Sequence, residues 1–105
     1  MLIQINTDSN IEGDEALAKQ AEALLRGTLE HFGEHVTRVE VHLSDQSSDK
    51  KSGTDDRRCL LEARLAGLQP IAVSHQAATL EQAIVGAAEK LEHSLDSVLG
   101  RLGNR

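Results

Sequence analysis

Apolar residues recur with two different periods along this 105-residue chain, and the change of period is what most constrains its fold. Four segments alternate apolar and polar residues, which is typical of strands that bury one face. These segments are residues 2–6, 36–44, 59–66 and 71–76. Two longer segments place apolar residues three or four positions apart, which predicts helices with one apolar stripe each. The helical segments are residues 14–32 and 79–102.

This order of elements predicts an α+β fold, a two-layer β-α-β-β-β-α sandwich with a four-stranded mixed sheet and both helices on one face. Each helix has one apolar stripe and each strand one apolar face, so a single shared layer buries all of them. We expect the first two strands to be parallel, because a helix connects them, and the later strands to be antiparallel. Thr79 and Gln82 form the pattern of a capping box at the start of the second helix.

The chain length fits one domain, residues 1–105, and a polar stretch at about residues 45–58 is predicted to be a flexible loop. The sheet face that turns away from the helices is predicted to be open to water. The polar residues that alternate on that face are Arg38, Glu40, His42, Glu62 and Arg64.

Composition limits the classes of partner. The formal net charge is −6, which argues against a general binder of phosphate backbones but not against a local basic patch. One Phe and no Trp or Tyr leave no aromatic platform for stacking bases. A single cysteine excludes an intramolecular disulfide and fits a reducing compartment. With no signal-peptide pattern and no apolar run long enough to span a bilayer, we expect a cytoplasmic protein that binds no membrane.

No residue pattern predicts a catalytic site, a cofactor or a metal centre. His31 and His35 are four residues apart, but Gly33 between them is expected to end the helix. The other histidines, His42, His75 and His93, are singly placed. The hypothesis that the chain is a metal-dependent enzyme therefore rests on scattered histidines alone. It ranks third, after the two functional hypotheses given at the end of this section.

Two further candidates for chemistry are better explained as structural or solvated residues. Cys59 opens a strand on its apolar side, which favours a small buried hydrophobe over a nucleophile. Asp55 and Asp56 lie in the polar loop, where carboxylates are solvated and their pKa values are not tuned for catalysis.

Basic residues gather in two regions of the sequence. Lys19 and Arg26 on the first helix, with Lys90 and Arg101 on the second, are candidates to line a groove between the helices. Glutamates share those faces, so ordinary solubilising charge is the interpretation that the residues alone favour. A second group, Lys50, Lys51, Arg57 and Arg58, lies in the predicted loop, where interleaved aspartates weaken it as a phosphate clamp.

Several short stretches, in this order and spacing, resemble one known family over nearly the whole chain. They are EAL at 15–17, HF at 31–32, AI at 83–84 and the following KLE at 90–92. The chain resembles the family of ribosome hibernation promoting factor and protein Y, also called ribosome-associated inhibitors or sigma-54 modulation proteins, in its short form.

The resemblance implies a bacterial translation inhibitor that binds the small ribosomal subunit near the decoding centre. Such proteins occupy the space of tRNA and mRNA and hold idle ribosomes inactive in slow growth or stress, without a cofactor or a reaction. Basic side chains would touch the rRNA phosphates. The candidate rRNA-binding residues are Lys19, Arg26, Lys50, Lys51, Arg57, Arg58, Lys90, His93 and Arg101.

The chain departs from the family in its charges. Ala18, Ala23 and Gly27 stand on the first helix where family members commonly carry basic residues, and Asp96 lies in a usually basic part of the second. The alternative is a divergent paralogue that keeps the fold but acts as a protein-binding regulatory module without ribosome binding. The expected partners are thus small-subunit rRNA or a protein, and not DNA.

Overall fold

The computed structural model describes residues 1–7, 15–45 and 57–103, with side chains described as far as Gly100. The strands are β1 (Leu2–Thr7), β2 (Val36–Asp45), β3 (Arg57–Leu65) and β4 (Ile71–Ala77). The helices are α1 (Glu15–Leu29), which continues into a 3₁₀ segment (Glu30–His35), and α2 (Leu80–Gly103). Within this part of the chain, neither helix is long and apolar enough to cross a membrane.

The sheet has the strand order β1-β2-β3-β4. Strand β1 runs parallel to β2, and the pairs β2–β3 and β3–β4 are antiparallel. The apolar sides of the strands and of both helices join in one buried cluster, so both helices cover the same face of the sheet. The predicted two-layer α+β fold and its mixed sheet are therefore confirmed.

The central strands and α2 form most of the core. Alternate residues of β2 and β3 have almost no exposed surface, as the alternation predicts. These residues are Val39, Val41, Leu43, Cys59, Leu61 and Ala63. On α1 the buried row is Leu17, Ala21, Leu25 and Leu29.

The predicted polar loop is shorter than expected at its C-terminal end. Arg57 and Arg58 belong to β3, where they pair with Asp45 and Ser44 of β2 and extend the ladder. Assigning them to the loop was wrong, because a polar strand end has no apolar residue to reveal its period. Residues 46–56 of the expected loop lie outside the described residues.

The helix boundaries follow local chemistry. Gly33, with φ 59° and ψ −130°, interrupts the 3₁₀ segment in a conformation that disfavours residues with a Cβ atom. Phe32 just before it remains buried and closes the core below α1. At the start of α2, the backbone N–H of Gln82 donates to Oγ1 of Thr79 at 3.1 Å, which is the N-cap half of the predicted capping box.

Helix α2 passes β4 at very close range beside His75. A Cβ atom added at Gly86 would overlap the imidazole ring of His75, which lies half-buried on the helix side of β4. Only a residue without a side chain fits here while the ring keeps its place. His75 is therefore a packing residue that sets the distance between α2 and the sheet.

This contact predicts opposite outcomes for two glycine substitutions. We expect Gly86→Ala to lower the free energy of unfolding by about 1–3 kcal/mol, because it overpacks the helix–sheet contact. We expect Gly27→Ala to raise it by about 0.5–1 kcal/mol, because Gly27 lies in the interior of α1 with open space around it. Urea denaturation of both variants measures the two effects.

A second substitution tests the cause. Replacing His75 with Ala in the Gly86→Ala background should recover much of the lost stability, because the ring is what the new methyl group meets. If Gly86→Ala were as stable as the parent protein, the close contact would be disproved.

Candidate functional site

The outer surface of the helix layer is mainly acidic. Among residues 15–35 and 80–100, whose side chains are described, the cations of the Lys and Arg type are Lys19, Arg26 and Lys90. The acidic residues in the same ranges are Glu15, Glu22, Glu30, Glu34, Glu81, Glu89, Glu92 and Asp96. A phosphate backbone approaching this surface therefore meets more negative than positive charge.

Arg26 is held at the β1 edge of the molecule. Its Nε and Nη2 atoms donate to Oε2 of Glu22 at 3.1 and 2.9 Å, and its Nη1 atom donates to the carbonyl oxygen of Met1 at 3.1 Å. Both side chains of this pair are nearly half exposed, so the ion pair stabilises the fold only slightly. Its main effect is to fix the direction in which the guanidinium points.

Lys90 is held at the opposite edge. Its Nζ atom donates to the backbone carbonyl of Ser74 in the edge strand β4 at 2.9 Å. A lysine placed along an edge strand also discourages pairing with another strand. Because Arg26 and Lys90 lie at opposite edges, the structure does not bring them together in a groove between the helices.

The groove that does lie between the helices is apolar. It has a volume of about 300 Å³, and Leu17, Leu24, Ile84 and Val85 supply most of its surface. Val85 is 43% exposed, which is unusual for a large apolar residue on this domain. Gln20 and Glu81 also line the groove, so one negatively charged side chain stands among mainly apolar ones.

The remaining predicted basic residues are spread over the molecule. Lys19 and His93 are exposed on α1 and α2. Arg57 and Arg58 are neighbours in β3, so their side chains leave opposite faces of the sheet, and Nε of Arg57 lies 3.5 Å from Oδ2 of Asp45. Lys50, Lys51 and the side chain of Arg101 lie outside the described part of the chain.

The open sheet face carries a cluster that the sequence did not reveal. His42, expected to be singly placed, lies between two carboxylates: its Nε2 atom is 3.6 Å from Oε1 of Glu40 and 3.3 Å from Oε1 of Glu62. Alternation along β2 already puts Glu40 and His42 on one face. Glu62 joins them only through the register of β2 against β3, in which it faces Glu40 directly.

Cys59 is buried in the middle of the core and is not a nucleophile of any surface site. Burial raises the pKa of its thiol to about 12, because the apolar surroundings disfavour the thiolate. The predicted structural role of this residue is confirmed.

Comparison with known proteins identifies the architecture. A sequence model of the family described as Sigma 54 modulation protein / S30EA ribosomal protein matches residues 3–102. No curated protein sequence matches the chain.

Two solved structures share the fold. A ribosomal subunit interface protein from Coxiella burnetii superposes with a TM-score of 0.77 at 15% identity, covering 95% of this chain and 99% of that one. The N-terminal domain of Protein Y from Thermus thermophilus superposes with a TM-score of 0.74 at 22% identity, covering 93% of this chain and 99% of that one.

The burial of Cys59 predicts an unreactive thiol. Only the thiolate attacks a disulfide reagent, and a pKa of about 12 leaves almost none of it at pH 8. We expect Ellman's reagent to label the native protein far more slowly than the urea-unfolded chain. Ala23→Cys, at an exposed position of α1, is the positive control and should be labelled at once. Fast labelling of Cys59 in the native protein would contradict its place in the core.

Proposed function

Because this chain belongs to the Sigma 54 modulation protein / S30EA ribosomal protein family, whose members are ribosome-associated factors and not enzymes, we propose that it inhibits translation by occupying the small ribosomal subunit. Its site is the region near the decoding centre, where a bound domain occludes tRNA and mRNA. The observation that carries this proposal is the family match over residues 3–102, which spans every element of the fold.

Steric occlusion requires no catalysed reaction from the protein. A two-layer domain with one continuous core is a stiff body that fills a volume, and no bond has to be made or broken. The proposal therefore needs no catalytic residue and no cofactor. It places the protein in the cytoplasm, where ribosomes work, and makes it a means of holding idle ribosomes inactive under stress.

The charges limit how the domain holds rRNA. Lys19 and His93 are exposed, whereas Lys90 and Arg26 already donate to backbone carbonyls, which leaves fewer of their N–H groups for phosphates. Each phosphate contact contributes about a five- to eightfold gain in affinity at 0.1 M salt relative to 1 M. With so few free cations on an acidic layer, we expect binding that is weak and strongly dependent on salt.

A second candidate function is supported by the groove between α1 and α2. Its apolar lining, the exposed Val85 and the Glu81 carboxylate suit a basic segment of a protein partner that inserts one apolar side chain. On this alternative the chain is a divergent family member that keeps the fold as a regulatory protein-binding module and does not bind ribosomes. The family match makes ribosome binding the primary proposal.

Sedimentation with purified small subunits at two salt concentrations tests the primary proposal. We expect the protein to pellet with subunits at low salt and to be released at high salt. Lys19→Gln and Lys90→Gln should each weaken binding, by up to roughly eightfold at 0.1 M salt if the side chain meets a phosphate. Arg64→Gln, which removes the same charge from the open sheet face, is the matched control and should change little. Failure to pellet at low salt would exclude ribosome binding.

Cross-linking from the groove distinguishes ribosome binding from binding of a protein partner. A photoreactive amino acid at position 85 should mark small-subunit components if the helix layer faces the ribosome. A cross-link to a basic protein outside the ribosome would favour the alternative, provided that the purified partner binds one to one. Val85→Asp should then abolish that complex. Leu2→Asp, at the other large apolar residue that is exposed within the described part of the chain, should not.

A further inference from the structure

The open sheet face brings three potential metal ligands together. Glu40, His42 and Glu62 each place one potential ligand atom within 4.8 Å of the other two. Two come from β2 and one from β3, the two central strands, so the backbone that holds them is the most firmly paired part of the sheet. The cluster lies on the face opposite the helix layer that carries Lys19 and His93.

The spacing of the three atoms suits a tetrahedral ion. Zinc binds imidazole nitrogen and carboxylate oxygen at about 2.0–2.2 Å, which sets neighbouring ligand atoms roughly 3.3–3.6 Å apart in a tetrahedron. The Nε2 atom of His42 lies 3.3 Å from Oε1 of Glu62 and 3.6 Å from Oε1 of Glu40. Two of the three edges therefore need no rearrangement, and the third, between the two carboxylates, is at most 4.8 Å and can close by rotation of the exposed Glu62 side chain.

The His42 nitrogen lacks a satisfying partner. Its Nε2 atom is shielded from solvent and makes no hydrogen bond, although two carboxylate oxygens flank it. If the ring proton is on Nδ1, three lone-pair atoms converge on one point, which is unfavourable unless a cation lies between them. This nitrogen is the same atom that lies 3.3 Å from Glu62 and 3.6 Å from Glu40, in a side chain that is 39% exposed.

The two glutamates also repel each other. Glu40 and Glu62 are direct cross-strand neighbours, and like charges in that relation destabilise a sheet. Arg38 offsets part of the repulsion, because its Nη2 atom lies 2.8 Å from Oε2 of Glu40 and 2.6 Å from Oε1 of Gln4. It binds the other oxygen of Glu40, so Oε1 stays turned towards His42.

We propose that Glu40, His42 and Glu62 form a binding site for one zinc-class divalent cation. Imidazole with two carboxylates is a ligand set that zinc accepts, and the exposed face leaves a fourth position for water. The ion would link β2 to β3 and neutralise the repulsion between the glutamates. The competing occupant is a proton on Nε2, which would let the ring donate a hydrogen bond towards the carboxylates without any metal.

Calorimetric titration of the untagged full chain with zinc chloride tests this site. We expect one zinc ion per chain. His42→Gln and Glu62→Gln should each weaken binding by at least about tenfold, whereas His93→Gln and Glu89→Gln, which make the same changes on the exposed face of α2, should leave it unchanged. His31→Gln should also have no effect, which excludes adventitious binding by the neighbouring pair His31 and His35.

Two further measurements keep the test independent of folding defects. In ¹⁵N NMR spectra of the wild-type histidine rings, zinc should shift Nε2 of His42 before any other ring nitrogen. Zinc should also raise the melting temperature of the wild type but not that of Glu62→Gln, which should melt higher than the wild type in chelator because the repulsion is gone. Zinc binding that survives His42→Gln, or a ring shift that first appears at His31 or His93, would overturn the proposal.

Discussion

The strict alternation of β2 and β3 is the constraint on which the rest of the structure depends. Because successive side chains leave opposite faces, one register sends Val39, Val41 and Leu61 into the core and Glu40 and Glu62 to the open face. A shift by one residue would bury the charges and expose the core. The same geometry that supports the helix layer thus concentrates ionisable groups on the far side of the sheet.

The architecture could be predicted from the sequence because apolar periodicity reports directly on burial. The strand order, the parallel pair and the Thr79 cap all followed from residue spacing and turn chemistry, which act locally. The prediction of element boundaries was wrong where no apolar residue marks the period. Arg57 and Arg58 extend β3 without an apolar residue to mark them.

The surface was harder to predict, because partners across space are not encoded by spacing along the chain. Lys90 and Arg26 both belong to helices, yet one donates to Ser74 and the other to Met1 at opposite sheet edges. Similarly, His42 acquires its second carboxylate only from the register between strands. Family membership is what points to the ribosome. The helix layer carries more acidic than basic residues, so any contact with rRNA must form against electrostatic repulsion.

The close passage of α2 over β4 has a consequence for how this domain can diverge. Gly86 and His75 share one fixed space, so bulk gained at either position must be given up at the other. Homologues are therefore expected to exchange size between these two positions in a correlated way. A homologue with a small residue at the position of His75 can accommodate alanine or serine at the position of Gly86. A homologue that keeps the histidine is expected to keep the glycine.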